Sequence, residues 1–468
     1  MNTIRHLVQR LTAHAIRAFA VVVLVLVLCF PAYKNLLIVY GPMLVVLWVG
    51  ALLHRRLRNG WNPMLGWPRI QFLLLAFIGP AVLQAGLLLW LRPEPMFDGR
   101  FVYEEALLLT QTGRMPPLTY YPPAQTWWYA GWFAVWGAHP LVAQFSHVPL
   151  HAVVTALTYG LAARVAPGRA RLVAVAVAWY PSFVGYVLTT PYYHYLYTAM
   201  VVATTWAWLA ALDRPRVALG AGLASGLGAL TKATQLIAPA QALLFWLVCP
   251  SPSHPASRIP HLASRILLFL LGMALVITPW TIRNWRVFDD FVPVCTSGGL
   301  VLWSANNPES NGLYSGLPDK AAIETPADML AHSRNASAAA KQFILENPAR
   351  FIQLAGIKLM HTWGGEATFA ELINRRGQPM GRPEDLFSLL FYAGWVLVAA
   401  LWAAASIAAW RARLALSPLE CAVALIVLSN AAVYMVFEGG DRHHLPFVPL
   451  VILLACMPGV RRSSQGAG

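Results

Sequence analysis

The residues of this chain whose types could do chemistry gather at the ends of its apolar stretches rather than within them. Asp98 stands a few residues beyond a long apolar stretch, in Pro93-Glu94-Pro95-Met96-Phe97-Asp98-Gly99-Arg100, ahead of the aromatic segment Tyr120-Tyr121-Pro122-Pro123. Glu104 and Glu105 lie close behind it, and Lys232, Arg283, Arg286, Arg442, His443 and His444 border other apolar stretches. A positioned carboxylate can take a proton from an attacking hydroxyl. Cations at the depth of a membrane headgroup meet lipid phosphate, and arginine does so with two parallel hydrogen bonds. Together these residues suggest chemistry on a lipid-borne substrate. The bland alternatives are a solvated loop carboxylate for Asp98 and snorkelling side chains for the cations.

The elements that must hold these residues are membrane helices. The 468-residue chain is 58% hydrophobic and 11% charged, whereas a soluble domain carries about a quarter charged residues. A spanning helix needs roughly 20 apolar residues, which gives about twelve spans: 18–33, 36–53, 70–91, 140–163, 172–188, 194–212, 217–231, 234–250, 266–282, 386–410, 419–437 and 445–460. The expected fold is therefore an all-α polytopic membrane protein. Its parts would be N-terminal helices (1–91), a first loop (92–139), a central bundle (140–282), a second loop (283–385) and C-terminal helices with a short tail (386–468).

The net charge of +15 invites a nucleic-acid reading, but its distribution argues against one. With a cytoplasmic N-terminus, the segments 1–17, 54–69, 164–171, 213–216, 251–265, 411–420 and 461–468 fall inside; they hold 18 Arg, no Lys and two acids, Asp213 and Glu420. The other face carries a balanced 16 Lys/Arg and 17 Asp/Glu. This is the positive-inside bias that accompanies insertion, so the expected partners are membrane lipids and not nucleic acid. The same count requires two spans in 217–250 and a break in 18–53 at Pro31-Ala32-Tyr33-Lys34-Asn35; it places both termini in the cytoplasm and both long loops outside. The first apolar segment lacks a small-residue cleavage site and reads as a retained helix. The inside loops are short and hold no glycine-rich phosphate cradle.

Within the loops, 101–112 predicts a short helix and 125–137 another, with Trp128, Trp132 and Trp136 one helical step apart. That stripe suits interfacial anchoring, or a wall for a lipid or sugar. Residues 291–303 read as strand or turn around Gly298-Gly299, followed by Asn306-Asn307-Pro308. Asn347 and Pro348 predict a helix start, and the apolar residues that follow, beside Arg350 and Lys358, predict a helix lying on the membrane. His147 and His151 share a face of the fourth span and read as hydrogen-bonded core groups rather than ligands. The five cysteines show no disulfide or metal spacing. No acid falls inside a span, which counts against an ion-coupled transporter.

Over about 350 residues the chain resembles the type C superfamily of integral-membrane glycosyltransferases, the group with protein O-mannosyltransferases and lipid A aminoarabinose transferases. The residues that carry this are Asp98, Tyr103, Ala106, Gly113, Tyr121-Pro122-Pro123 and Phe133 to Gly137; Gly222 and Gly226 leading to Lys232; Thr278-Pro279-Trp280 leading to Arg283-Asn284; Gly298-Gly299; Asn306-Asn307-Pro308; and Asp441-Arg442-His443-His444-Leu445-Pro446.

The resemblance implies transfer of a sugar from a polyprenyl-phosphate donor to an acceptor hydroxyl on lipid, glycan or protein, with inversion, outside a cell inner membrane. It implies Asp98 as base, Lys232, Arg283 and Arg442 as holders of the donor phosphate, and Tyr103, Tyr121 and His443 among the substrate contacts. No cofactor is expected, because a phosphate leaving group needs chiefly cationic stabilisation. The chain departs from the family pattern in three places. Asp98-Gly99 stands for an acidic pair, which keeps Glu104 and Glu105 as further candidates for the base. Pro191 stands where a Glu often opens the sixth span, and His443-His444 replaces Tyr-Arg. The rival readings are a flippase or transporter of lipid-linked glycan, which predicts tolerance of Asp98→Ala, and a scaffold for polysaccharide assembly.

Overall fold

The computed structural model describes residues 2–33, 40–189, 193–249, 258–313, 323–366, 373–379 and 382–457. Most of these are helical. Among the described residues, six helices are long and apolar enough to cross a membrane: Arg5–Phe30, Arg69–Leu91, Pro140–Val165, His261–Phe288, Leu386–Arg411 and Pro418–Val436. Val217–Thr231 and Ala233–Val248 are apolar but shorter. The chain is a multi-pass α-helical membrane protein. The 172–188 stretch is divided, because Pro181 starts a new short helix, Pro181–Tyr186, after Ala170–Ala178 ends.

The bundle closes most tightly where Val217–Thr231 meets the Arg258–Phe288 helix. A Cβ on Gly222 would stand 2.0 Å from the Phe269 carbonyl oxygen, and one on Gly272 would stand 2.3 Å from that of Leu219. Only glycine lets two backbones approach this closely, the usual device of helix pairs in lipid. Lys232 then interrupts the apolar run with an extended backbone (φ −147, ψ 118), and the chain re-enters through a 3₁₀ turn to Ala238–Val248. The two-helix reading of 217–250 is thus what the backbone adopts. Residues 34–39, between Asn2–Tyr33 and Tyr40–Arg58, lie outside the described residues, as does Pro191.

The arginines of the segments read as inside serve the helix ends. Arg17 pairs with Glu420 at 3.0 Å and Arg164 pairs with Asp213, so both acids of those segments are matched. Arg265 donates to the carbonyls of Ala211 (2.8 Å) and Leu212 (3.0 Å), and Arg169 to that of Leu57 (2.6 Å). Carbonyls at helix C-termini lack intrahelical partners, and guanidinium groups supply them.

Outside the bundle, Phe97–Thr112 and Ala124–Trp136 are helices. The predicted tryptophan stripe divides: Trp128 donates to Ser146 Oγ at 3.0 Å, while Trp136 is exposed. The 291–303 reading is corrected in part: 291–297 is irregular, with bends and a turn, but Gly298–Ser304 is a helix. Gly299 permits the crossing of this helix by Pro326–Glu346, because a Cβ there would strike the Ser333 carbonyl oxygen at 1.9 Å. The membrane-surface reading of the helix after Asn347 is corrected in part. Pro348–Trp363 forms as expected, but Leu354, Ala355 and Lys358 are buried, and only its outer side, with Ile352, is exposed. A two-residue hairpin, Asn374–Arg375 with Gln378–Pro379, turns at Arg376 and Gly377, both at positive φ. Asn374 Oδ1 accepts from the Glu94 amide at 2.9 Å and its Nδ2 donates to the Glu94 carbonyl at 3.1 Å, which fixes the linker leading into Asp98.

Candidate active site

Asp98 lies in the first turn of Phe97–Thr112, where unpaired helix N–H groups favour an acidic side chain. Phe97, beside it, holds a left-handed backbone (φ 47) that non-glycine residues rarely adopt. Asp98 Oδ1 accepts from the Tyr121 hydroxyl at 2.8 Å and Oδ2 from Arg442 at 3.0 Å. Asp98 and Arg442 are each 29% exposed, so the pair is reachable from outside. Burial, then the Asp98 charge, raises the pKa of Tyr121, which keeps it a hydrogen-bond donor.

Asp98 and Arg442 belong to the wall of a cavity of about 760 Å³, within the range of roughly 300–1,000 Å³ for small-molecule sites. One side is the Phe97–Phe101 turn with Tyr120–Pro122; the floor is Tyr193 and the Thr231–Ile237 break; the far side runs from Val433 to His443; Cys295 to Val301 cover it. Lys232 Nζ donates to the Tyr193 hydroxyl, stands 3.3 Å from His443 Nδ1, and lies 3.9 Å above the Tyr193 ring centre. The helical break is what brings this ammonium into the cavity. His443 stacks on Tyr434 with parallel rings 4.6 Å apart, and its Nε2 is 3.6 Å from Glu438 Oε1. Burial, then Lys232 and Arg442, depress the His443 pKa far below its usual value, so the imidazole is neutral.

The sequence candidates therefore divide. Asp98, Tyr121, Lys232, Arg442 and His443 line one cavity. Glu104 is exposed and pairs with Arg100 at 2.7 Å on the outer side of its helix. Glu105 accepts from Thr126 at 3.0 Å between the two loop helices, and burial raises its pKa to about 7. Tyr103 packs edge-on against Phe133. Arg283 donates to Thr119 Oγ1 at 2.9 Å and to the Pro116 carbonyl, and lies over Trp280. It braces the segment before Tyr120 and does not line the cavity. His147 and His151 are buried core groups, bonded to Tyr129 (2.8 Å) and Gln84 (3.0 Å).

Two groups escaped the sequence reading. Glu438 lines the same cavity as Asp98, two residues past the Pro418–Val436 helix. Glu366 is buried with His444, 2.7 Å from its Nε2. The signal for Glu438 was available: Phe437-Glu438-Gly439-Gly440 carries an acid at a span end beside the Arg442 motif. Gly439 is required there, because a Cβ would stand 2.7 Å from Lys358 Cα. Lys358 anchors that turn by donating to Asn306 Oδ1 (2.7 Å) and the Val436 carbonyl (3.1 Å).

Fold and site define a polytopic helical membrane protein with a charged cavity at the ends of its helices. Residues 121–279 match the family model of dolichyl-phosphate-mannose-protein mannosyltransferase, less than half of the chain. The resemblance to type C glycosyltransferases is borne out by that match, which covers Tyr121, Lys232 and Pro279 among the residues that carry it. No curated protein matches the chain in sequence. Among solved structures, an apo oligosaccharyltransferase from Archaeoglobus fulgidus is similar over 88% of this chain and 50% of its own, at 13% identity and TM-score 0.46. ArnT from Cupriavidus metallidurans bound to undecaprenyl phosphate is similar over 83% and 77%, at 13% identity and TM-score 0.39. The chain spans about half the length of the archaeal enzyme.

Proposed function

We infer that the chain transfers a sugar from a polyprenyl-phosphate donor to an acceptor hydroxyl, with inversion, on the extracytoplasmic face of an inner membrane. The observation that carries this reading is one cavity in which the Asp98 carboxylate, held by Tyr121 and Arg442, shares a wall with the Lys232 ammonium. The family match supports it. In this reading Asp98 removes the acceptor proton as the hydroxyl attacks the anomeric carbon. Lys232 and Arg442 neutralise the departing phosphate, the neutral His443 holds Lys232, and Tyr121 orients Asp98. The positions of Glu104 and Glu105 off the cavity wall favour Asp98 over them as base. Twelve spans, cytoplasmic termini and two outside loops, 92–139 and 283–385, complete the proposal; the charge distribution supports that orientation.

The test uses purified protein, a radiolabelled panel of polyprenyl-phosphate hexoses and pentoses, and a membrane extract as acceptor. Wild type should transfer label, and Asp98→Ala should lose about a hundredfold or more, the usual contribution of a general base. Undiminished transfer by Asp98→Ala would remove Asp98 from the chemistry. The panel itself decides between hexosyl and pentosyl donors.

A further inference from the structure

The cavity holds a second carboxylate, and its surroundings differ from those of Asp98. Glu438 is 13% exposed. Its neighbours come from every element around it: Arg442 and His443 from the following turn, Lys232 from the helical break, and Lys358 from Pro348–Trp363, with Tyr193 and Tyr434 beside them; Asp98 lines the same cavity. The cavity is lined by two cations, Lys232 and Arg442, and two acids, Asp98 and Glu438. With both acids ionised the four charges cancel, and an entering phosphodiester meets no surplus of positive charge. With Glu438 neutral and Lys232 held charged by the incoming phosphate against its burial, one positive charge remains to match the single negative charge of the donor.

On the reading that this cavity transfers a sugar from a polyprenyl phosphate, we propose that Glu438 is the catalytic acid of the site and gives its proton to the departing phosphate. The acceptor oxygen forms its bond to the anomeric carbon as the bond from that carbon to phosphate oxygen breaks. The hydroxyl proton passes to Asp98, and the Glu438 proton passes to the phosphate, so polyprenyl phosphate leaves as a monoanion. Exchange with water then returns Asp98 to the carboxylate and Glu438 to the acid, and no net proton is consumed.

Two carboxylates in contrasting environments are how one site runs acid and base chemistry together. Asp98 is reachable from outside and bonded to a guanidinium and a phenol; Glu438 is enclosed. Burial raises the Glu438 pKa against the opposing pull of Arg442, Lys232 and Lys358. His443 Nε2, 3.6 Å away, lies beyond direct hydrogen-bond reach in this structure.

The experiment compares the pH dependence of transfer in wild type and Glu438→Gln across about pH 5 to 9. A required acid makes the rate fall as pH rises, and a required base makes it fall as pH drops. Wild type should show both limbs. Glu438→Gln, which keeps the shape and a hydrogen-bond donor but has no proton to give, should lose about a hundredfold in rate. It should lose the alkaline limb while the acid limb stays. An unchanged alkaline limb in the variant overturns the proposal.

Calorimetry with undecaprenyl phosphate, in two buffers of different ionisation enthalpy, reads the same group without turnover. At a pH above the alkaline limb of wild type, where Glu438 and the lipid phosphate (second pKa about 6) are both ionised, wild type should take up a proton on binding and Glu438→Gln should not. Equal uptake by both proteins counts against Glu438 alone. Failure of wild type to bind the lipid or to transfer any sugar removes the transferase reading itself, and this inference with it.

Discussion

His443 faces the cavity, beside Lys232 and Glu438, where Asp98 and Arg442 are each 29% exposed. His444, next in the chain, faces a region closed on every side, where it and Glu366 are 0% exposed. There Glu366 accepts from Tyr180 at 2.6 Å and from Ser182, while Trp395 packs 4.2 Å from the His444 ring and Trp363 stacks at 5.4 Å. The two regions treat charge differently. The cavity keeps opposite charges at its wall, ready for a ligand. In the closed region His444 Nδ1 meets the Thr362 carbonyl and Nε2 meets the Glu366 carboxyl. A carbonyl can only accept, so Nδ1 carries a proton, and a second lies between Nε2 and Oε1. Whichever atom holds that second proton, the pair is neutral as a whole. The cavity is thus arranged for reaction, and the region behind it for fixing the turn that carries Arg442 and His443.

The comparison breaks most visibly if activity and stability fail to separate between the two regions. Asp98→Asn should lower transfer by about 10² to 10⁴ and leave the melting temperature in detergent nearly unchanged, since Asp98 is partly exposed. His444→Leu should do the reverse. It leaves the Glu366 carboxyl buried without its partner, a change that costs about 3–5 kcal/mol when a buried pair is broken. Glu366→Gln should stay close to wild type in melting, because the amide can donate to His444 Nε2 and accept from Tyr180 and Ser182. A Glu366→Gln protein as unstable as His444→Leu would mean that the site needs a carboxylate facing an imidazolium, with the second proton on His444.

The sequence carried much of the open region and little of the closed one, for physical reasons. Asp98, Lys232, Arg442 and His443 sit at the ends of apolar runs, where a charged residue stands out against composition. The break at Lys232 was legible because charge counting on the loops demanded it. Glu366 stood in the second loop with nothing nearby in sequence to mark it. Its partners Tyr180, Ser182 and His444 are 186, 184 and 78 residues away, and no local period connects such groups. The helix over Gly298–Ser304 was hidden because its glycines argue for turns locally, and only the crossing with Pro326–Glu346 explains Gly299. Lys358 was read as a surface cation because its helix is amphipathic; the turn at Gly439 covers it, and burial lowers its pKa to about 7.

A smaller effect sharpens the comparison from the side of the first loop. Glu105 lies behind the cavity wall, and burial lifts its pKa from 4.5 to about 7, against the pull of Thr126 and Arg283. An acid whose folded pKa is raised costs nothing below its unfolded value and destabilises progressively as pH rises toward the folded value. Wild type should therefore lose about 1–3 kcal/mol between pH 4.5 and 7 that Glu105→Gln does not lose. Melting curves of the two proteins across that range would show the gap opening as pH rises. A gap that stays constant would mean that Glu105 titrates alike in the folded and unfolded chain.

The smallest expected effect concerns Arg283, which resembles Arg442 in sequence setting and differs from it in use. Arg442 reaches Asp98 within the cavity wall. Arg283 spends its guanidinium on Thr119, Asn284 and the Pro116 carbonyl, with Trp280 beneath it at 4.7 Å. Arg283→Lys keeps the charge but loses the planar fork, so it forfeits one or two hydrogen bonds of about 1 kcal/mol each. The melting temperature should fall slightly. Catalysis should fall by a small factor through loosening of the segment that leads to Tyr121, with KM for the donor unchanged. A phosphate-holding role, which the family resemblance suggests for this position, makes the opposite demand: KM for the donor should rise about tenfold with little change in melting, as expected when a binding interaction is weakened. The two outcomes do not overlap, and they decide whether the donor phosphate is met at the Lys232–Arg442 wall alone or also at the end of the Arg258–Phe288 helix.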